Sequence, residues 1–462
     1  MLLLLAWAPA VAHAGGPGML VGATEDAVKS TDPATAKSQM DLLAMAGFDA
    51  VRITQDWAPG QTAITSDQAT ILDNVLTAAK ADGVVVFVTV MNYGSATTPL
   101  TATDQADFAS FAASVASTAG VRHIIVGNEP NLNRYWLPQF NPDGSDAAAP
   151  AYESLLAQTY DAVKAAAPGV QVIGGALSPR RGDADGIRPT HSPTQVILDM
   201  GTAYKASGRA TPIMDALSLH PYEDHSDVAP AAGTHPNTTT IALADYGKLV
   251  SLLGQAFDGT AQQGSALPIY FDEFGVETQI PAAKASVYTG TEPAVTHPVD
   301  EATQGAYYKQ AIQLAFCQPT VRGFFVFHAF DEKDLAGWQS GVYYADDTPK
   351  ASLEMVKAAI ALSRRGVVAA CPGLALTPKP VVAQQGPVLT LRCDIDCAYV
   401  AQLYRLPGKL LASKRGRAVG DRPTTLRLQV PSTPGSYRLR LSATATVNVG
   451  KPALIRVPVR PG

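Results

Sequence analysis

The sequence predicts a (β/α)8 TIM barrel, an α/β fold, followed by a small C-terminal all-β sandwich domain. Before about residue 365, one pattern recurs in which an amphipathic helical stretch leads through a glycine into a short β-branched run. Those runs are almost continuously apolar, as is typical of a parallel sheet covered on both faces. Beyond that point apolar and polar residues alternate between Pro and Gly turns, which indicates an antiparallel sandwich.

Eight short runs in the first part predict strands, with helical segments between them and one after the last. They are MLVGAT, AVRIT, VVFVTV, HIIVGN, VQVIGG, ALSLHPY, PIYFDEFG and GFFVFHAF. Eight βα units in about 345 residues match a closed barrel. A doubly wound open sheet is the alternative, but no Gly-rich phosphate fingerprint follows any strand. Four glycines, Gly47, Gly83, Gly120 and Gly169, are predicted to end helices in the left-handed conformation.

Charge marks the boundary between the two domains. From Leu374 onward there are 4 Lys and 10 Arg against 3 Asp and no Glu, a net charge of +11, whereas the whole 462-residue chain carries −5. The shift falls across a Pro-rich stretch, which predicts a barrel over residues 19–364, a linker over 365–387 and a sandwich over 388–462. The predicted sandwich strands are VLTLRC, AYVAQLYRL, TTLRLQVP, GSYRLRLSATA and ALIRVPVR.

The N-terminus and the cysteines predict an exported protein. Residues 1–14 form a short apolar run ending in a small-x-small site, typical of a signal peptide, although no Lys or Arg precedes Lys29 and a buried strand is the alternative. No other apolar run is long enough for a transmembrane segment. Four cysteines allow three pairings; we favour Cys393 with Cys397 and Cys317 with Cys371 over a zinc site, since no histidine pair lies nearby.

Polar and aromatic residues cluster where the predicted barrel strands end, which is where this fold carries its active site. Glu129 follows strand 4 and Glu273 ends strand 7, so both carboxylates are expected at one mouth. Hydrolysis of a glycosidic bond needs one carboxyl group to protonate the leaving oxygen and another to attack or to activate water. Such a mouth suits a neutral polyhydroxylated ligand and not phosphate, so we expect no cofactor and no nucleic-acid partner.

Four motifs in this part resemble the clan A glycoside hydrolases. They are VRI on strand 2, VGNEP after strand 4, LHPY on strand 6 and YFDEFG on strand 7, and they are similar to the cellulase-like family five and the β-xylosidase-like family thirty-nine. The segment GVYYADDTPKAS after strand 8 also resembles the closing part of that clan, and the resemblance covers roughly residues 19–364.

The resemblance implies a retaining β-glycosidase with a role for each matching residue. Glu129 would be the general acid/base and Glu273 the nucleophile. Asn128 would bind the sugar 2-hydroxyl, Arg52 would keep Glu273 ionised, Tyr222 would donate to Glu273, and His220 would complete the polar floor. Alternation along strand 7 leaves Glu273 facing the mouth only if the strand end is irregular, so its choice over Asp272 and Glu277 depends on the resemblance.

The sequence departs from the clan pattern at two strands. Where many members carry a histidine after strand 3, this chain offers Asn92 or Tyr93, and where many carry a tryptophan on strand 8 it offers His328, Phe330 or Trp338. Four aromatic residues in the predicted mouth could stack on sugar rings or pack in the core. They are Trp57, Tyr135, Trp136 and Trp338.

The predicted function is therefore a secreted or extracellular hydrolase of oligo- or polysaccharides. A noncatalytic carbohydrate-binding protein on the same barrel is the alternative, although a binder would not need the set Asn128, Glu129 and Glu273. The acidic and imidazole groups of HPYEDH, residues 220–225, are a weak metal motif because they lack a helical HExxH frame. The basic C-terminal domain could contact acidic polymers or an anionic cell surface.

Overall fold

The computed structural model describes residues 15–180, 182–369 and 371–461. The predicted signal peptide, residues 1–14, lies outside the described residues. The described residues form two compact units: one consists of Leu20–Ala315 and Val321–Ala361, and the other consists of residues 15–19, Phe316–Thr320 and the chain from Leu362 onward. No helix in the described part of the chain is long and apolar enough to cross a membrane.

The larger unit is a closed parallel barrel, which confirms the predicted fold class and excludes the open sheet. Each strand pairs with the next, and the eighth pairs with the first. The strands are β1 Leu20–Thr24, β2 Ala50–Trp57, β3 Val85–Asn92, β4 His123–Val126, β5 Gln171–Leu177, β6 Ala216–Leu219, β7 Ile269–Phe274 and β8 Val321–Phe327. All eight coincide with predicted runs to within three residues at either end.

Eight helices follow the strands in the expected alternation. They are α1 Pro33–Ala46, α2 Ser66–Asp82, α3 Ala102–Ala116, α4 Ala148–Ala166, α5 Pro193–Ala206, α6 Tyr246–Phe257, α7 Glu301–Phe316 and α8 Leu353–Arg364. Gly47 and Gly83 end α1 and α2 with φ of 90° and 72°, as predicted, and Gly120 also has a positive φ. The prediction for Gly169 is wrong, because α4 ends at Ala166 and Gly169 has no left-handed φ.

Apolar side chains fill the barrel interior below the mouth. Phe87 lies at their centre, with edge-on contacts at 5.1 Å to both Tyr270 and Phe325. Small residues from neighbouring strands, including Ala50 and Ala216, complete this packed layer. Because side chains alternate along a strand, the next inward-facing residues toward the carboxyl end are Arg52 after Ala50 and Thr89 after Phe87. The apolar layer is therefore the floor beneath the polar residues of the mouth.

Two irregularities in strand pairing lie at the mouth. Between β5 and β6 the register shifts around Ala176, whose φ is +46°, and between β7 and β8 it shifts between Phe271 and Phe274. A bulge turns a side chain that alternation would point outward. The shift in β7 provides the irregular strand end that the sequence required for Glu273, and it brings the neighbouring Asp272 inward as well.

The smaller unit contains two antiparallel sheets whose inner faces share one apolar core. Its strands are β9 Val381–Gln385, β10 Val388–Arg392, β11 Cys397–Arg405, β12 Lys409–Ala418, β13 Thr424–Leu426, β14 Tyr437–Ala445 and β15 Ala453–Val459. The predicted sandwich is confirmed, but β9 and β12 were missed. β9 lies inside the predicted linker, and β12 is an edge strand rich in Lys and Arg. Both favoured disulfides, Cys317–Cys371 and Cys393–Cys397, are present.

Candidate active site

The backbone at Glu129, just beyond β4, is strained. Gly127 and Glu129 both have positive φ, 79° and 41°, and a non-glycine residue adopts such a φ only when its surroundings hold it there. The Glu129 amide donates to the carbonyl of Ala176 at 2.8 Å, so the bulge in β5 supplies that support. The strain fixes the direction of the carboxylate toward the barrel axis.

Arg52 on β2 organises the neighbours of Glu273. Its side chain is buried; Nη1 donates to Glu273, Nη2 donates to Asn128 Oδ1 at 2.8 Å and Nε donates to Thr89 Oγ1 at 2.7 Å. Nε also lies 3.4 Å from Asp272 Oδ2. Burial opposes the charge on the guanidinium, but Asp272 and Glu273 outweigh it and raise the pKa of Arg52.

His220, just after β6, lies between three carboxylates. Its Nδ1 is 3.1 Å from Glu129 Oε1 and 3.3 Å from Glu273 Oε2, and its Nε2 is 3.5 Å from Asp272 Oδ1. Burial alone would lower the pKa of this imidazole, but Glu273 and Asp272, together with Glu129, raise it to about 10. At neutral pH His220 is therefore a buried cation.

Tyr222 and Trp338 form an aromatic wall beside Glu273. The Tyr222 hydroxyl donates to Glu273 Oε2 at 2.9 Å; burial, followed by the charge of Glu273, raises the pKa of this phenol well above its usual value. The half-buried Trp338 ring lies 5.1 Å from the Tyr222 ring, with Phe327 edge-on at 5.3 Å. Trp338 therefore borders the site through Tyr222.

The two glutamates have different environments. Glu273 accepts hydrogen bonds from Arg52 and Tyr222 and lies 3.3 Å from His220 Nδ1, whereas Glu129 is hydrogen-bonded to His220 alone among the described residues. Donors that favour the ionised form stabilise a carboxylate as an anion. Glu273 therefore has more hydrogen-bond donors around it than Glu129.

The two candidates for the histidine position after β3, Asn92 and Tyr93, differ in their burial. Asn92 is buried and its Nδ2 donates to the carbonyls of Gly94 and Tyr135 at 2.8 and 2.9 Å, so it holds a loop. Tyr93 is 78% exposed. Tyr135 is half-buried, and burial together with the charge of Glu129 raises the pKa of its phenol to about 12. Of these three residues, Tyr135 is the one whose pKa responds to the charge of Glu129.

Two tryptophans expected to stack on sugar pack in the interior instead. Trp57 is 1% exposed, contacts Phe108 edge-on at 5.5 Å and donates from Nε1 to the carbonyl of Gln61. Trp136 is 2% exposed and packs edge-on against Tyr152 at 5.9 Å. Neither ring presents a face to the mouth, so the core-packing alternative holds for both.

The candidates at the end of β8 and beyond it also differ in what they contact. Phe330 is buried and stacks on Tyr343 at 5.2 Å, so it belongs to the packing. His328 is half-buried; its Nδ1 lies 2.9 Å from the carbonyl of Thr24 and 3.8 Å from Glu25. Of these candidates, Trp338 is the one that contacts Tyr222 and so borders the site.

Two contributors to the site were missed, and both carried a sequence signal. Thr89 is the polar residue within the apolar run VVFVTV, and like Phe87, two residues before it, it faces the barrel interior. Asp272 was considered only as a rival nucleophile, whereas it is fully buried against Arg52 and His220. Within the described ranges no group of three or more His, Cys, Asp or Glu has a metal-binding arrangement.

Comparison with solved structures identifies the fold. A family 39 glycoside hydrolase from the gut symbiont Bacteroides cellulosilyticus WH2 matches with a TM-score of 0.54 and 14% identity, over 88% of this chain and 81% of that one. The enzyme GH5_18 from Streptomyces cattleya, in complex with GlcNAc, matches with a TM-score of 0.50 and 16% identity, over 79% of this chain and 84% of that one.

Sequence comparison adds nothing further, since no protein-family model matches the sequence and no curated protein matches it significantly. At these identities the structural likeness concerns the fold. The chain has the barrel fold of family 39 and family 5 glycoside hydrolases, as the sequence motifs implied.

Proposed function

We propose that this protein is a retaining β-glycosidase in which Glu273 is the nucleophile and Glu129 the general acid/base. One observation carries the proposal: a single nitrogen, His220 Nδ1, is 3.1 Å from one carboxylate and 3.3 Å from the other. The two oxygens can be no farther apart than the sum of these distances. That limit is just short of the separation of about 6.5–9.5 Å that inverting enzymes need for a water molecule, and any bend at Nδ1 brings the two oxygens closer together, so the geometry favours retention.

The donor asymmetry supports the assignment of roles. Glu273, which accepts from both Arg52 and Tyr222, is suited to attack the anomeric carbon as an anion and to leave again in the second step. Glu129, with one donor, is suited to carry a proton to the leaving oxygen and then to accept one from water. Asn128 accepts from Arg52 through Oδ1, so its Nδ2 can donate to the sugar 2-hydroxyl as the transition state forms.

The proposal extends to substrate and location. The mouth offers hydroxyl, amide and aromatic groups suited to a polyhydroxylated sugar, so the substrate is an oligo- or polysaccharide. Two disulfides suit an oxidising compartment, and we place the protein outside the cytoplasm with residues 1–14 as its export signal. Amino-terminal sequencing of the exported protein tests this. The basic C-terminal domain would contact an acidic polymer or cell surface.

Azide rescue distinguishes the two carboxylates. On an aryl β-glycoside whose leaving group needs no protonation, Glu129→Ala should accumulate a glycosyl-enzyme, and azide should release a glycosyl azide of retained configuration. Glu273→Ala should form no covalent intermediate, and azide should give the inverted product. Proton NMR of the products and mass spectrometry of the protein measure both outcomes.

A control and two contrary outcomes complete the experiment. Glu277→Gln removes a neighbouring acid that makes no contact with Arg52 or His220, so its turnover without azide should stay within a few-fold of wild type. Identical product configurations for the two alanine variants would show that the roles are wrong. Sugar binding by the wild-type protein without turnover of any aryl glycoside would favour the carbohydrate-binding alternative.

A further inference from the structure

The outer face of the four-stranded sheet in the C-terminal unit is strongly basic. In the order β12-β11-β14-β15, the buried side chains of β11 and β14 alternate with outward-facing ones. The strand register places five arginines on the outward side, all exposed. They are Arg415 and Arg417 on β12, Arg438 and Arg440 on β14, and Arg456 on β15.

These arginines have no partners within the described part of the chain. Their side chains form no hydrogen bond or ion pair there, whereas each aspartate of the sandwich is already engaged elsewhere. Asp394 accepts from the Lys379 amide, Asp396 pairs with Arg365, and Asp421 pairs with Arg392. Like charges on one sheet face repel. This face therefore bears a concentrated positive charge that an external anion would relieve.

A trough runs beside two of these arginines. It has a volume of about 500 Å³ and is lined by Ala398, Tyr399, Val400, Gly416, Ser442 and Thr444, with Arg415 and Arg417 along one side. Tyr399 is buried in the core of the sandwich, whereas the outward-facing side chains of Ala398, Val400, Ser442 and Thr444 are short, and two of them carry hydroxyl groups. On the next row, Arg440 lies directly opposite Arg456 across β14 and β15.

We propose that this face binds an extended anionic polysaccharide. The arginines lie on three strands of a sheet whose strands are about 4.8 Å apart, so one small anion would reach only a pair of them, while a polymer with repeated carboxylate or sulfate groups would reach all five. Arginine presents a planar fork that matches such oxyanions. The trough accommodates a narrow chain, and its hydroxyl groups can bind sugar hydroxyls.

Other polyanions fit this face less well. A bilayer surface is broad and cannot enter the trough. A single-stranded nucleic acid binds largely by stacking its bases on aromatic rings. Among the outward-facing residues of β11 and β14, one is aromatic, Tyr404. The binding proposed here does not require hydrolysis, so it stands or falls separately from the proposed glycosidase activity.

Binding by the full-length protein tests the proposal. Isothermal titration at near-physiological salt would use polygalacturonate and dextran sulfate as anionic probes and dextran as the neutral one. The double variant Arg415→Gln/Arg417→Gln should bind whichever anionic probe is recognised about tenfold more weakly. The charge-matched control Arg422→Gln/Arg427→Gln changes two exposed arginines outside this face and should lose less than twofold. Far-ultraviolet circular dichroism checks that both variants fold.

Three results would overturn the proposal. The wild-type protein could bind neither anionic probe, or the two double variants could lose affinity equally, which would indicate non-specific attraction. Phosphatidylglycerol vesicles or single-stranded DNA could also bind more tightly than either polysaccharide with the same dependence on Arg415 and Arg417. Retained hydrolysis of an aryl glycoside by the variant in any of these cases would leave the glycosidase proposal intact.

Discussion

Replacing His220 with glutamine tests the buried charge at the centre of the candidate site. Burial alone would lower the pKa of this imidazole, but the carboxylates of Glu273 and Asp272 raise it to about 10. In an unfolded chain the pKa of histidine is about 6.5. Between those values the folded protein retains a proton that the unfolded chain releases.

The sign and size of the effect follow from this difference. The stability that protonated His220 contributes is fully present below about pH 6.5 and is lost as the pH rises through about 10. Within the window each pH unit lowers the free energy of unfolding by up to about 1.4 kcal/mol for one proton. Between about pH 7 and pH 9 the loss is about 2–3 kcal/mol, and His220→Gln does not show it.

Urea unfolding, followed by tryptophan fluorescence at several pH values, measures this slope. Other groups titrate in the same range, but they are common to both proteins and cancel in the difference. His123→Gln is the matched control, because burial lowers the pKa of His123 and its loss should leave the wild-type slope unchanged. Parallel pH dependence of wild type and His220→Gln, or an imidazole NMR titration of His220 near pH 6.5, would refute the reasoning.

Three further predictions concern single contacts. Tyr222→Phe removes a hydrogen bond to the Glu273 carboxylate and should lower kcat/KM about 10- to 100-fold, since such bonds contribute about 1.5–3 kcal/mol; steady-state kinetics with unchanged rates would contradict it. Lys350→Met leaves the buried Asp331 without its ion-pair partner at 2.8 Å and should lower the free energy of unfolding by about 3–5 kcal/mol, which urea titration measures. Trp338→Ala should raise KM several-fold more than it lowers kcat if that ring binds sugar, and an unchanged KM would count against it.

The barrel was predictable because its signals are local. Each strand is a continuous apolar run, since both faces are covered, and helical stretches separate the runs. The sandwich was harder to predict at its edges. β12 reads KLLASKRGRA, and an edge strand exposed to solvent needs little apolar alternation. β9 is short and follows a Pro-rich stretch, so its composition indicates a linker although its backbone pairs with β10.

The residues of the site were likewise predictable only in part. Glu129, Glu273, His220 and Tyr222 lie at or just beyond strand ends, and Arg52 faces inward from β2; topology brings such positions to one mouth. Which aromatic rings face that mouth depends on loop packing. Trp57 ends β2 and Trp136 lies in the loop between β4 and α4, yet both rings turn into the interior. There they pack against Phe108 and Tyr152, in tertiary contacts that periodicity does not encode.

The charges of the site bear on which carboxyl group carries the proton of the proposed first step. Three carboxylates, Glu129, Asp272 and Glu273, lie close to two cations, Arg52 and His220, so the cluster carries one excess negative charge when every group is ionised. Uncompensated charge is costly away from water. Asp272 is fully buried between both cations and Glu273 accepts from both Arg52 and Tyr222, whereas Glu129 is hydrogen-bonded to His220 alone among the described residues. The proposed first step delivers one proton to the leaving oxygen, and of the three carboxyl groups Glu129 has the fewest partners to lose when it carries that proton.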